Sequence, residues 1–528
     1  MIELSRRSAL EALLASVIGS RPSIRDAGVV NVADFRRIGR DDEDAFRAAL
    51  SVGSTVIVPS GSYTFSSGVP VDIPRGRMLI GDGQVSICKQ GSHLQPLFRA
   101  ESVGNVVLDG LELRGASRLE QRIDLRPGQR SWPLPWPLGT PPALAVMLIS
   151  ADSSLPLQPE FDFAIRGDTL EVLPKVSMRD VTAALMWREP ALCPLVEFSE
   201  TTDSSMLNLK CVDGALWIRG SQVSPSRALV KGCTLSNGQI RVWGQDNEIN
   251  PLRLNRRRNE TPQGPRTVRI EGNRLKGRIA EGAVKHYLRF GERAAGIEIQ
   301  SSASDITIVD NDIRSQAGDG IWLASCSDSV VSGNHVEGNG LSGIGLESGV
   351  VRESQRCLIR ENTVLNNWFD GCDLNFGSGP SVGDLSVVDN IFSGNGFDMK
   401  PVSGGCGIFI NRVQQARISG NVCENNNLAG ILSVRSDMIR LQQNRCLDNG
   451  RSSRGGFGTG VGVGINNSTN VSVIENVCGG GRQKAGIAFA SAEDLQRTEV
   501  SGNTTPDGRP LALDLWNEGS YQRVMPPT

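Results

Sequence analysis

One short pattern returns along this chain and limits what it can fold into: apolar, any, apolar, two polar residues, asparagine, any, apolar. It reads Ile306-Thr-Ile-Val-Asp-Asn311-Asp-Ile313, then Cys357-Leu-Ile-Arg-Glu-Asn362-Thr-Val364, then Leu385-Ser-Val-Val-Asp-Asn390-Ile-Phe392. The marker asparagines are Asn273, Asn311, Asn334, Asn362, Asn390, Asn421, Asn444, Asn476 and Asn503, and from Asn311 onward they are spaced by 23, 28, 28, 31, 23, 32 and 27 residues. Such units are too short for a strand-helix-strand crossover, and their apolar residues alternate as in strands. A unit this small cannot bury its apolar face alone, so neighbours must stack. Leucine-rich spacing is absent, and a propeller blade needs a repeat of about 40 residues or more.

The expected fold is therefore all-β: a right-handed parallel β-helix whose coils share one core. Asparagine tolerates left-handed backbone, which suits a marker at a bend between strands. Two residues after each marker an inward column is expected, and it includes Val336, Val364, Phe392, Cys423, Cys446 and Cys478. That column accounts for three of the 11 cysteines as core; no Cys-x-x-Cys pair occurs and there are only 3 histidines, so no metal site is read. A net charge of −2 gives no general attraction to nucleic acid, and no apolar run approaches the roughly 18 residues of a membrane span.

A second strand opens each unit after a glycine: Gly296-Ile-Glu-Ile-Gln300, Gly320-Ile-Trp-Leu-Ala324, Gly343-Ile-Gly-Leu-Glu347, Gly371-Cys-Asp-Leu-Asn375 and Gly407-Ile-Phe-Ile-Asn411. Alternation turns Glu298, Trp322, Gly345, Asp373 and Phe409 outward in one column, and Gln300, Ala324, Glu347, Asn375 and Asn411 in the next. Glu347 and Asp373 then stand on neighbouring coils. Two carboxylates held several ångströms apart are what acid/base cleavage of a glycosidic bond requires. They are the leading catalytic pair, with Glu298, Asp319 and Asp370 in reserve. Trp322 and Phe409 would face sugar rings, while Gln300, Asn375 and Asn411 would bond hydroxyl groups. A solvated sheet face is the plain alternative. A competing set, Lys285, His286, Tyr287 and Arg293 with Arg289 and His335, offers the base and cations of a lyase that removes a proton beside a uronate carboxyl. Hydrolysis needs no cofactor; Ca²⁺ would join the lyase.

Upstream, Gly28-Val-Val-Asn-Val-Ala-Asp-Phe35 precedes an acidic-started helix, Asp41 to Leu50, and then Val56-Ile-Val-Pro-Ser-Gly-Ser-Tyr63. This order resembles the opening of the pectate-lyase-like β-helix superfamily of polysaccharide lyases, glycoside hydrolases and phage tailspike depolymerases. The resemblance covers about residues 28–115, and the asparagine-marked coils extend it to about 517. It implies a helix capping the stack, a polysaccharide or oligosaccharide as substrate and, as in many phage spikes, a homotrimer. It does not narrow the reaction, because neither a polygalacturonase-type catalytic string nor a pectate-lyase catalytic motif is present. A glycan-binding or structural protein without catalysis is the remaining class.

The expected divisions are an export leader or extension at 1–27, a cap and first coils at 28–116, an insertion at 117–200, the main helix at 201–517 and a tail at 518–528. The leader reading rests on Ser5-Arg6-Arg7 before Leu10, Leu13 and Leu14, which looks like a twin-arginine signal and implies a periplasmic or extracellular site, or else a phage particle. Within the insertion, Trp132 is read as packing a small core of its own in preference to stacking on sugars.

Overall fold

The structure is a computed structural model that describes residues 28–37, 41–90, 95–115, 119–133, 144–150, 154–157, 163–166, 169–174, 176–188, 194–220, 226–244, 264–277, 295–300, 303–348, 354–374, 382–396, 404–451, 456–517 and 520–524. The expected leader, Asn375 and the set Lys285, His286, Tyr287, Arg289 and Arg293 lie outside the described residues.

Each complete coil lays down three strands. One such coil is Ile321–Ala324, Val330–Ser332 and His335–Glu337; the next is Ile344–Glu347, Gln355–Arg360 and Thr363–Leu365. Successive coils pair in parallel, with Ile321 on Ile344, Val331 on Ile359 and Val336 on Val364. Among the described residues the first face is a sheet of 15 strands from Val71–Asp72 to Ser520–Val524, and the other two faces together hold 26. The chain is thus a right-handed parallel β-helix. Ile297, Ile321, Ile344, Cys372, Ile408 and Ile431 line the inside of the first face and are fully buried. So is the column Val336, Val364, Phe392, Cys423, Cys446 and Cys478, where Cys423 pairs with Cys446 and Cys446 with Cys478. All cysteines among the described residues are free.

The nine marker asparagines form one unbroken ladder. Each of the first eight donates its side-chain amide to the Oδ1 of the next at 2.9–3.0 Å, and its backbone N–H goes to the same oxygen. The expectation that these asparagines take left-handed backbone is corrected. The left-handed residue is the one before each marker: Gly272, Asp310, Gly333, Glu361, Asp389, Gly420, Gln443, Glu475 and Gly502 all have φ between 55° and 68°. The asparagine follows the bend and ties it to the next coil. A second ladder, Asn339, Asn367, Asn395, Asn426 and Asn449, does the same at the next corner.

The glycines that open the first face answer a different constraint. A Cβ at Gly320 would stand 2.3 Å from Val336 Cγ1 and 2.7 Å from the carbonyl oxygen of Gly343. The corner closes only where no side chain intervenes.

At one end the helix Asp42–Val52 covers the open core, with Phe46 packed edge-on to Tyr63 and Phe65 at ring distances of 5.3 and 5.2 Å. At the other end Leu513–Asn517 and Ser520–Val524 form an antiparallel pair, so the segment set apart as a tail supplies a closing strand. The insertion folds into two small antiparallel sheets of four and three strands. Trp132 is buried there with Leu148, Leu170 and Val172, as read from the sequence. Phe98–Glu101, before the insertion, pairs directly with Pro194–Ser199 after it. Among the described residues no helix is long and apolar enough to cross a membrane.

Candidate active site on the first face

Strand register fixes which outward side chains are neighbours. Along one column Trp217, Arg241, Glu298, Trp322, Gly345, Asp373, Phe409 and Leu432 follow one another, one per coil. In the next column Arg219 lies beside Trp243, Ala324 beside Glu347, and Asn411 beside Val434. Gly345 has no side chain, so the first column carries a gap one coil wide between Trp322 and Asp373. Glu347, two residues beyond Gly345, stands diagonally across from Asp373, roughly 7–8 Å away at the backbone. Asp373 is buried and Glu347 half-buried.

Two further carboxylates border this pair at the strand entrances. Asp319 and Asp370 are each 1% exposed. Asp319 Oδ1 accepts the backbone N–H of Ser342 at 2.9 Å. Asp370 Oδ1 accepts those of Gly405 and Cys406 at 2.8 and 2.6 Å. Each therefore ties its own coil to the following one. Burial pushes the Asp370 carboxyl up to about 7; the two N–H donors pull the other way, and the Asp319 charge adds to the rise. The Cys406 thiol is raised well above its usual value by burial, then by Asp370, with Asp373 adding a smaller push. Asp319, Asp370 and Asp373 thus act electrostatically on one patch of the face.

The other expected residues divide. Glu298 is buried, with its Oε1 3.1 Å from Arg241 Nε and accepting from Gln300 Nε2. That ion pair keeps an arginine in place. Trp322 is 8% exposed and packs on Ala295 and Ala324, so it forms floor where an open sugar platform was expected. Phe409 packs with Cys406, Ala429, Leu432 and Phe457 in an apolar wall. Asn411 is half-buried at the same end. His335 lies on the third face, its Nε2 3.1 Å from Glu337, and does not join the first-face groups. An open cavity of about 700 Å³ lies in the insertion, lined by Arg130, Pro174 and Met178 among others. Its lining holds no carboxylate pair.

Sequence reasoning missed four residues. Trp217 and Trp243 approach to 4.4 Å between ring centroids, and the Arg241 guanidinium lies 3.8 Å over the Trp243 ring. Arg219, 5.6 Å from the Trp243 ring, donates to Glu197 Oε1 at 2.7 Å. These strands also follow glycines, Gly214 and Gly238, but with one extra residue before the first inward position. An alignment started from the glycine therefore passes over them.

This fold and this face define a parallel β-helix with a carboxylate-lined sheet. Residues 210–399 match the family described as right handed beta helix region. Among solved structures, the A-module of mannuronan C-5 epimerase AlgE4 from Azotobacter vinelandii is similar at 13% identity over 93% of this chain and 98% of that one, with a TM-score of 0.46. The catalytic unit of a GH87 alpha-1,3-glucanase from Streptomyces thermodiastaticus shares 13% identity over 96% and 72%, with a TM-score of 0.47. PfbA, a surface adhesin of Streptococcus pneumoniae, shares 12% over 94% and 99%, with a TM-score of 0.45. No curated protein matches the chain.

Proposed function

We propose that this protein hydrolyses glycosidic bonds in a polysaccharide, with Glu347 and Asp373 as the reacting carboxylates and Asp370 as a proton-holding neighbour. The observation that carries the reading is the pairing of Asp373 with Gly345, which sets Glu347 and Asp373 diagonally across one coil step. A diagonal of roughly 7–8 Å leaves room between two carboxyl groups for a water or a sugar carbon. One carboxyl protonates the leaving oxygen while the other activates water or attacks the ring. Asp370, its carboxyl pushed up to about 7 by burial, carries less negative charge near neutral pH than an ordinary carboxylate. Such a substrate implies work outside the cytoplasm, in the periplasm, in the medium or on a phage particle.

The test is a panel of purified polysaccharides incubated with the wild-type chain, with Glu347→Gln and with Asp373→Asn. Wild type should shorten one of them and add one water per cut. Each amide variant should lose on the order of a hundredfold or more in rate, the scale of one general acid or base. Products with the ultraviolet absorbance of an unsaturated uronate would replace hydrolysis by elimination and move mutagenesis to Lys285, His286, Tyr287 and Arg293. Full activity in both amide variants would remove these carboxylates from the reaction.

A further inference from the structure

The first face is asymmetric about its carboxylates. On the C-terminal side the outward column is closed. Phe409 and Leu432 pack with Phe457, and a Cβ on the outward Gly464 would come within 3.6 Å of the Phe457 ring. On the N-terminal side the column continues past Trp322 and Glu298 to a checkerboard in which Trp217 sits beside Arg241 and Arg219 beside Trp243. Five coil steps of about 4.8 Å separate Trp217 from Asp373, some 24 Å.

The charges of this patch cancel internally. Arg219 is held by Glu197 at 2.7 Å and Arg241 by Glu298 at 3.1 Å. What remains for a ligand is planar surface: two half-buried indoles and the guanidinium stacked on one of them. Stacked rings and guanidinium planes take the apolar faces of flat or ring-shaped ligands. The Trp217 Nε1–H is itself buried and meets no acceptor among the described residues, so the patch offers its ring faces.

We propose that Trp217 and Trp243, braced by Arg241 and Arg219, form a distal subsite for the uncharged ring faces of a long oligosaccharide whose reacting bond lies at Glu347 and Asp373. The inference rests on the hydrolase reading. The substrate then lies along the helix axis, mostly to the N-terminal side of the cut, and gains affinity with each sugar until it reaches the checkerboard.

The probe is an oligosaccharide array graded by chain length, read with full-length wild type, with Asp373→Asn, with the double variant Trp217→Ala/Trp243→Ala and with Trp217→Phe/Trp243→Phe. Wild type and Asp373→Asn should bind the longest members of one series about tenfold or more tighter than the shortest, equally at low and high salt. The double alanine variant should lose that gain, and the phenylalanine variant, which keeps a ring, should recover part of it. Retention of the length gain by the alanine variant, a steep salt dependence, or an array without any hit overturns the subsite. If binding behaves as stated but wild type cuts nothing, the hydrolase reading falls and the subsite stands.

Discussion

Asp370 is pulled in two directions. Its Oδ1 accepts two backbone N–H groups, which favours the charged form, while complete burial beside Asp319 favours the neutral one, and burial wins. The carboxyl rises from 3.8 to about 7 on folding, so the folded chain holds this proton more tightly than the unfolded chain. Its contribution is complete below about pH 4 and is lost as the pH rises to about 7, at up to about 1.4 kcal/mol per pH unit. Asp370→Asn keeps the accepting oxygen and removes the titration. In denaturant melts across this range, wild type should lose on the order of a few kcal/mol relative to the variant. Parallel curves for the two would mean that Asp370 ionises as freely as an exposed carboxyl.

At the scale of the element, the asparagine ladder is the device that repeats. Asn390 donates to the carbonyl oxygens of Ile359 and Val388 and to Asn421 Oδ1, and it accepts both N–H groups of Asn362, all at 2.9–3.0 Å. Asn390→Ala leaves the buried backbone N–H of Asn362 without its acceptor and removes the donations to Ile359, Val388 and Asn421, so it should cost about 2–3 kcal/mol in equilibrium unfolding. A cost below about 1 kcal/mol would mean that the turns hold without the ladder. This element was legible because the marker precedes an inward apolar residue in every repeat. The second ladder was equally written, five residues on from Asn334, Asn362, Asn390, Asn421 and Asn444, but no apolar alternation flags a corner. The carboxylates of the site were legible by the same alternation. Their ranking was not, because hydrogen bonds from the following coil to Asp319 and Asp370 depend on how coils stack. Nor was the burial of Trp322 and Phe409, which comes from Ala295, Leu432 and Phe457 on other coils.

The whole molecule is a stack in which each coil touches only its neighbours, closed by a helix at one end and a hairpin at the other. Stability in such a stack is a sum of local terms and neighbour couplings. Phe46 is fully buried against Tyr63, Phe65 and Phe98, so Phe46→Ala should cost about 3–5 kcal/mol. The loss should be local. Hydrogen exchange should quicken in Thr55–Phe65 and Met78–Lys89 and stay slow in Val461–Asn466. Uniform quickening would show that the stack opens as one unit.

The pairing of Phe98–Glu101 with Pro194–Ser199 gives the insertion a particular standing. The ladder of the first face runs past it as though the intervening residues were not there. Exit after Arg114 and re-entry at Pro194 lie one corner apart, a gap that the chain elsewhere crosses in the few residues between Ser236 and Ile240. The segment is therefore a cassette: it can be shortened, lengthened or exchanged for an unrelated module without altering the register of any strand around it. A lineage that kept the helix and its carboxylates could change what it reaches at this one port, and an engineer could graft there for the same reason.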